Sequence, residues 1–171
     1  SQQRWVSSPQ TVGDALTQGV ELEAKFRLNQ AWAAAWPVDI RSNVSFFRSK
    51  VKDVPGPDNR LDQQPSMTAN LGGDYRLRGM PLTLGGNVNW NPDYDTRRSQ
   101  EQWSYQGLKR VVDVYGQWRF SAATALRLTV SNLLPRDYET ATTFNTGTQQ
   151  ETARTTDRNW RNVQLRLEMK I

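Results

Sequence analysis

Between Asn91 and Arg110 the chain gathers the side chains best suited to binding chemistry: Tyr94, Arg97, Arg98, Trp103, Tyr105, Lys109 and Arg110. Guanidinium forks and aromatic faces in one segment suit an anionic, partly aromatic ligand, held by charge-assisted hydrogen bonds and by stacking. A second set, Arg136, Tyr138, Phe144, Arg154 and Arg158, lies between Asn132 and Asn159. From the two segments together, ligand contacts are expected of Arg97, Arg98, Trp103, Tyr105, Arg154 and Arg158.

Other chemistries are poorly supplied. The 171 residues include no Cys and no His, which removes thiolate metal ligands, disulfides, the commonest general base and the commonest metal ligand. Neither a metal site nor a cofactor is expected. Glu21 and Glu23 form a carboxylate pair of the kind glycosidases use. Two acids on a regular strand without a recognisable cleft are weak support for that chemistry, so the chain is not read as an enzyme. The net charge of +5 invites a nucleic-acid reading, but the basic residues are interleaved with acids and form no basic run. Nucleic acid is therefore not an expected partner.

The elements that must carry these residues are strands. Arg161 to Ile171 reads R-N-V-Q-L-R-L-E-M-K-I, with Val163, Leu165, Leu167, Met169 and Ile171 alternating against Gln164, Arg166, Glu168 and Lys170. Side chains two apart share a strand face, so this strand separates an apolar phase from a wet one. Gly19 to Asn29 repeats the pattern, with Val20, Leu22, Ala24, Phe26 and Leu28 against Glu21, Glu23, Lys25 and Arg27. At helical period that stretch has no apolar face. Similar alternation marks Val38 to Phe46, Met67 to Leu77, Leu82 to Trp90, Val112 to Phe120 and Leu126 to Ser131, and Gln2 to Ser7 reads as a short further strand. The expected fold is all-β, an antiparallel meander of about eight strands from a transmembrane β-barrel.

Connection lengths and aromatic positions carry the membrane reading. Long segments (8 to 18, 51 to 65, 91 to 110 and 132 to 159) alternate with short ones (30 to 37, 78 to 81 and 121 to 124). Outer-membrane barrels have short periplasmic turns and long external loops, and a tilted strand crosses the hydrocarbon in roughly 9–11 residues. Trp36, Trp90, Phe120 and Trp160 fall at strand ends, where amphipathic rings meet the membrane boundary. Polar and charged side chains on one face of every strand would deny a soluble barrel its dry core, whereas a wet or plugged lumen accommodates them. The loop cations then have a blander use too, as solvated groups or as contacts to lipopolysaccharide phosphates.

The stretches GVELEAKF (Gly19 to Phe26), PGPDNRLDQQPSMTANLGGDYRL (Pro55 to Leu77), PLTLGGNVNW (Pro81 to Trp90) and LRLTVSNLLPRDY (Leu126 to Tyr138) together resemble the C-terminal barrel strands of TonB-dependent outer-membrane receptors. The resemblance implies a bacterial outer-membrane receptor that takes up a scarce ligand, most often a ferric siderophore. It implies a barrel of about 22 strands around an N-terminal plug through which TonB acts. No plug is recognisable in residues 1–171, which are read as the C-terminal part of the barrel. The resemblance also implies that the last strand, through Val163, Leu165, Leu167, Met169 and Ile171, signals to the outer-membrane assembly machinery. In the family that strand usually ends in an aromatic residue, and Ile171 departs from the pattern. Two other readings share the periodicity: a complete small outer-membrane barrel serving as adhesin or anchor, and a soluble β-barrel binding protein.

Overall fold

The computed structural model describes residues 13–170. Its strands are β1 (Ala15–Arg27), β2 (Val38–Val51), β3 (Met67–Arg76), β4 (Leu82–Asn91), β5 (Tyr94–Arg97), β6 (Gln102–Gln106), β7 (Lys109–Arg119), β8 (Thr124–Ser131), β9 (Tyr138–Asn145), β10 (Gln150–Asp157) and β11 (Asn162–Met169). A single helical turn, α1 (Leu28–Ala31), follows β1. Seven strands form one antiparallel sheet in the order β1-β2-β3-β4-β7-β8-β11, and the other four form a second sheet in the order β10-β9-β6-β5.

The seven-stranded sheet is the expected meander. Gln2 to Ser7, read as a further strand, lies outside the described residues, as does Ile171. β1 and β2 run to 13 and 14 residues, longer than the alternation alone marks and longer than the bilayer requires. The long ends of both strands therefore stand clear of the hydrocarbon as a wall on the long-loop side.

Register explains why the two faces differ. Val20 stands opposite Phe46 and Leu22 opposite Val44. Tyr75 stands opposite Val38 and Leu84, and Leu128 opposite Gly116 and Leu165. One face is thus an apolar wall, open enough that Leu22 and Leu165 are 60% and 65% exposed. Only Val54 and Ala125 are buried apolar residues among those described. A contiguous apolar face this large with no protein core behind it requires lipid as its partner.

The opposite face is polar and internally paired. Glu23 and Lys25 lie 2.6 Å apart, and Arg27 meets Asp39 at 2.8 Å. Asn43 donates to Glu21. The carboxylate pair that could suggest hydrolysis is therefore engaged with Asn43 and Lys25 on an open wall. Arg41 pairs with Asp74, which also accepts the Tyr115 hydroxyl, and the Arg127 guanidinium stacks 3.9 Å from the Tyr115 ring centroid. These contacts link β2, β3, β7 and β8 across the face.

At the short-turn end, Trp36 packs on Tyr75 with centroids 5.4 Å apart, and Trp32 and Phe120, in other short turns or their flanks, are largely exposed. The turns themselves are locally closed. Ser121 Oγ accepts from the backbone N–H groups of Ala123 and Thr124, and Leu77 N–H donates to Leu82 O across the turn containing Gly79 at φ 77°.

Candidate functional site

The two long segments that carry the expected binding residues fold as hairpins and pair with each other. β5 and β6 arise from the β4–β7 connection, β9 and β10 from the β8–β11 connection, and β6 pairs with β9 over Gln102–Phe144 to Gln106–Thr140. Both hairpins are polar on both faces, which hides them from a search for apolar alternation. Their signal was a different one: Thr-rich runs in β9 and β10, favourable to strands, around a turn with Gly147 at φ 84°.

Register sorts the side chains of this outer sheet. Asp95, Tyr105, Ala141 and Arg154 form one cross-strand row, and Arg97, Trp103, Thr143 and Thr152 form the row two residues along. Because strand faces alternate with period two, Arg97, Trp103, Tyr105 and Arg154 share a face. Four of the six expected contact residues, drawn from segments far apart in sequence, are thereby brought together. The other face carries Thr96 and Ser104, both buried, and Tyr94.

Arg97 and Arg98 hold the loop at 52–66 against the hairpin. The Arg97 guanidinium lies 4.9 Å from the Trp103 ring centroid and donates to the backbone carbonyls of Gly56, Ser99 and Gln100, each at 3.1 Å. Its own N–H donates to Asp58 O at 2.7 Å, covering the outer edge of β5. Arg98 pairs with Asp62 at 3.0 Å. Gly56, Asp58 and Asp62 were not singled out from the sequence; their role is visible only once the loop lies on β5.

Arg154 pairs with Glu139 at 2.7 Å on the open face and is itself exposed. Arg158, just past β10, is exposed and enters no ion pair among the described residues. Asp95, on the same face as Arg154, has its carboxyl held above the usual carboxylate range by partial desolvation, with Asp58 and Asp93 adding repulsion and Arg60 opposing. Tyr94 is raised chiefly by burial, with Arg60 stacked 6.0 Å from its ring. The resulting surface is a mixed one, with two aromatic rings flanked by guanidinium groups and a reluctant carboxylate. It has hydrogen-bonding and stacking capacity but no nucleophile paired with a base.

In β11, Val163, Leu165 and Leu167 stand opposite Val130, Leu128 and Leu126 on the apolar wall, and Met169 opposite Thr124. Arg166 stands opposite Arg127 on the polar face.

A two-faced, lipid-demanding meander with long loops at one end defines a transmembrane β-barrel of the outer-membrane type. Residues 1–133 match the family described as TonB dependent receptor-like, beta-barrel, and the chain belongs to that family. The family is one of bacterial outer-membrane receptors and transporters that work through TonB, and it is not an enzyme family. Membership sets aside the soluble-barrel reading. The match ends before the β9–β10 hairpin and β11. No solved structure matches the chain closely.

Proposed function

We propose that residues 1–171 are the C-terminal part of a TonB-dependent receptor barrel, and that the open face of the outer sheet contributes to capture of a ferric siderophore. The observation that carries this reading is the β6–β9 register, which joins Trp103 and Tyr105 from one loop with Arg154 from the next on a single surface. An anionic iron chelate with aromatic donors offers that surface both charge and stacking area. In this reading Trp103, Tyr105, Arg154 and Arg158 contact the ligand, while Arg97 and Arg98 position the hairpin. The plug and its TonB-contacting segment belong to other parts of the receptor. Val163, Leu165, Leu167 and Met169, with Ile171, serve barrel assembly.

The test uses the intact receptor and radiolabelled ferric tris-catecholate and ferric hydroxamate complexes. Trp103→Ala with Arg154→Ala should weaken binding of the preferred complex by on the order of 100-fold, if each residue supplies about 1–2 kcal/mol. Unchanged affinity for every chelate, in a receptor that still migrates as a folded barrel, would remove this face from the ligand site.

A further inference from the structure

Both sheets end on the same side with an open edge. The seven-stranded sheet ends at β11 and the outer sheet at β10, and neither strand has a backbone partner beyond it among the described residues. The two orders match strand for strand. β4 runs on into β5 through Pro92 and Asp93, β6 into β7 through Gly107 and Leu108, β8 into β9 over residues 132–137, and β10 into β11 over residues 158–161. Neighbours in the barrel wall, β4-β7-β8-β11, are thus neighbours above it, β5-β6-β9-β10. At the other edge the same order holds, since the loop that leads into β3, the barrel neighbour of β4, covers β5 through the bond from Arg97 N–H to Asp58 O.

Backbone alternation shows what the open edges offer. Thr146 N–H donates to Gln149 O at the β9–β10 turn, and Gly107 N–H donates to Glu139 O on the other side of β9. With the β9–β10 register, that phase turns the N–H and C=O groups of Glu151, Ala153 and Thr155 toward β9 and those of Thr152, Arg154 and Thr156 outward. In β11, Lys170 N–H donates to Ala123 O, so Val163, Leu165 and Leu167 turn theirs outward. Lipid offers such groups no partner, so β11 requires a further strand. β1 cannot supply it. In an antiparallel sheet of seven strands β1 and β11 run in the same direction, from the long loops to the short turns, whereas neighbours in barrels of this type are antiparallel. The strand that pairs with β11 must ascend toward the long-loop end.

We propose that this ascending strand belongs to the part of the receptor outside residues 1–171, runs on past the membrane and pairs antiparallel with β10, adding a fifth strand to the outer sheet. β10 is suited to strand addition. All eight of its residues are exposed, and the run QETARTTD contains neither Pro nor Lys, which commonly blunt an edge. Thr at four of the central positions would be out of place in the sequence, but Thr152, Thr155 and Thr156 favour an extended backbone. The contact is a clasp of main-chain hydrogen bonds outside the bilayer, bridging the junction between β11 and its neighbour. The face that carries Trp103, Tyr105 and Arg154 then continues onto a strand from another part of the receptor. The inference rests on the reading of residues 1–171 as part of a larger barrel.

The experiment measures hydrogen exchange at single amides of the intact receptor in detergent. The amides of Thr152, Arg154 and Thr156 should exchange on the order of 100-fold slower than unpaired amides, close to those of Ala153 and Thr155, which face β9. Those of Leu165 and Leu167 should also be protected. Benzoylphenylalanine in place of Thr152, irradiated where the receptor is monomeric, should capture a peptide of the same polypeptide from outside residues 1–171. Protection at Leu165 and Leu167 with free exchange at Thr152, Arg154 and Thr156 would overturn the clasp and leave the larger barrel standing. Free exchange at both sets would overturn the larger barrel and the clasp together. Capture of a peptide from within residues 1–171, of the same chain or of a second copy, would also overturn the assignment.

Discussion

Tyr115 on β7 donates its hydroxyl to Asp74 on β3, reaching across the intervening strand at Gly85. A Cβ built on Gly85 would fall into the Tyr115 ring and the Asp74 carboxylate. The missing side chain on β4 is therefore what allows the bond, and with it the Arg41–Asp74 pair and the Arg127–Tyr115 stack. A strand position without a side chain here marks a close approach by another residue.

Gly85→Ala should therefore cost about 1–3 kcal/mol by forcing Tyr115 from its rotamer, whereas Tyr115→Phe should cost about 1 kcal/mol by removing one hydrogen bond. Urea unfolding of the intact barrel in lipid vesicles reads both. Equal losses for the two variants would show that steric room at Gly85 is not what holds the network.

Alternation makes a second contrast between neighbours in sequence. Leu128 lies on the apolar wall opposite Leu165, while Thr129 lies on the polar face opposite Tyr115 and Gln164. Leu128→Arg should destabilise the membrane-inserted barrel by roughly 2–4 kcal/mol near the midplane, and Thr129→Arg by well under that. The same vesicle titration distinguishes them, and the reverse order would exchange the lipid and lumen faces.

Arg97→Lys keeps the charge but cannot reach the carbonyls of Gly56, Ser99 and Gln100 together. The loop at 52–66 should open more often, raising its rate of limited proteolysis on the order of tenfold for a loss of about 1.5 kcal/mol. Heat-modifiable migration of the barrel should not change. A cleavage rate equal to wild type would mean that Arg97 does not fasten the loop.

Asp95 gives a pH prediction with a definite sign. Its carboxyl is raised in the folded protein, so the protonated form favours the outer sheet, and that contribution is lost as pH rises through the raised value. Asp95→Asn should slow hydrogen exchange of the β5–β6 amides relative to wild type at pH 7 and leave the two indistinguishable at acidic pH. A variant that exchanges faster at pH 7 would indicate that the ionised carboxylate is a stabilising partner.

What could be read from the residues follows the physics of the environment. Inside the bilayer each strand must put apolar groups to lipid, so β11 and the central part of β1 show themselves by period two. Beyond the bilayer that demand ends. The β5–β6 and β9–β10 hairpins lie in the long connections, and their strands carry no apolar stripe. The residue types of the outer surface were legible, including Arg97, Trp103 and Arg154. The partners of the arginines were not, because Gly56 and Asp62 lie 41 and 36 residues earlier and meet them only through tertiary folding. The outward position of Arg48, opposite Gln18, was hidden for a related reason, since the apolar alternation ends at Phe46 and only the β1–β2 ladder extends its face assignment.

The pairing of β6 with β9 has an evolutionary consequence. Trp103 and Tyr105 share a face with Arg154 because of a register that five residue pairs fix. One residue inserted between Arg98 and Gln102, if the ladder slid to absorb it, would turn both aromatic rings to the opposite side and bring Gln102 and Ser104 to the open one. A receptor built this way can change the chemistry it presents to its surroundings by a single-codon insertion in a turn, without mutating any residue on either surface.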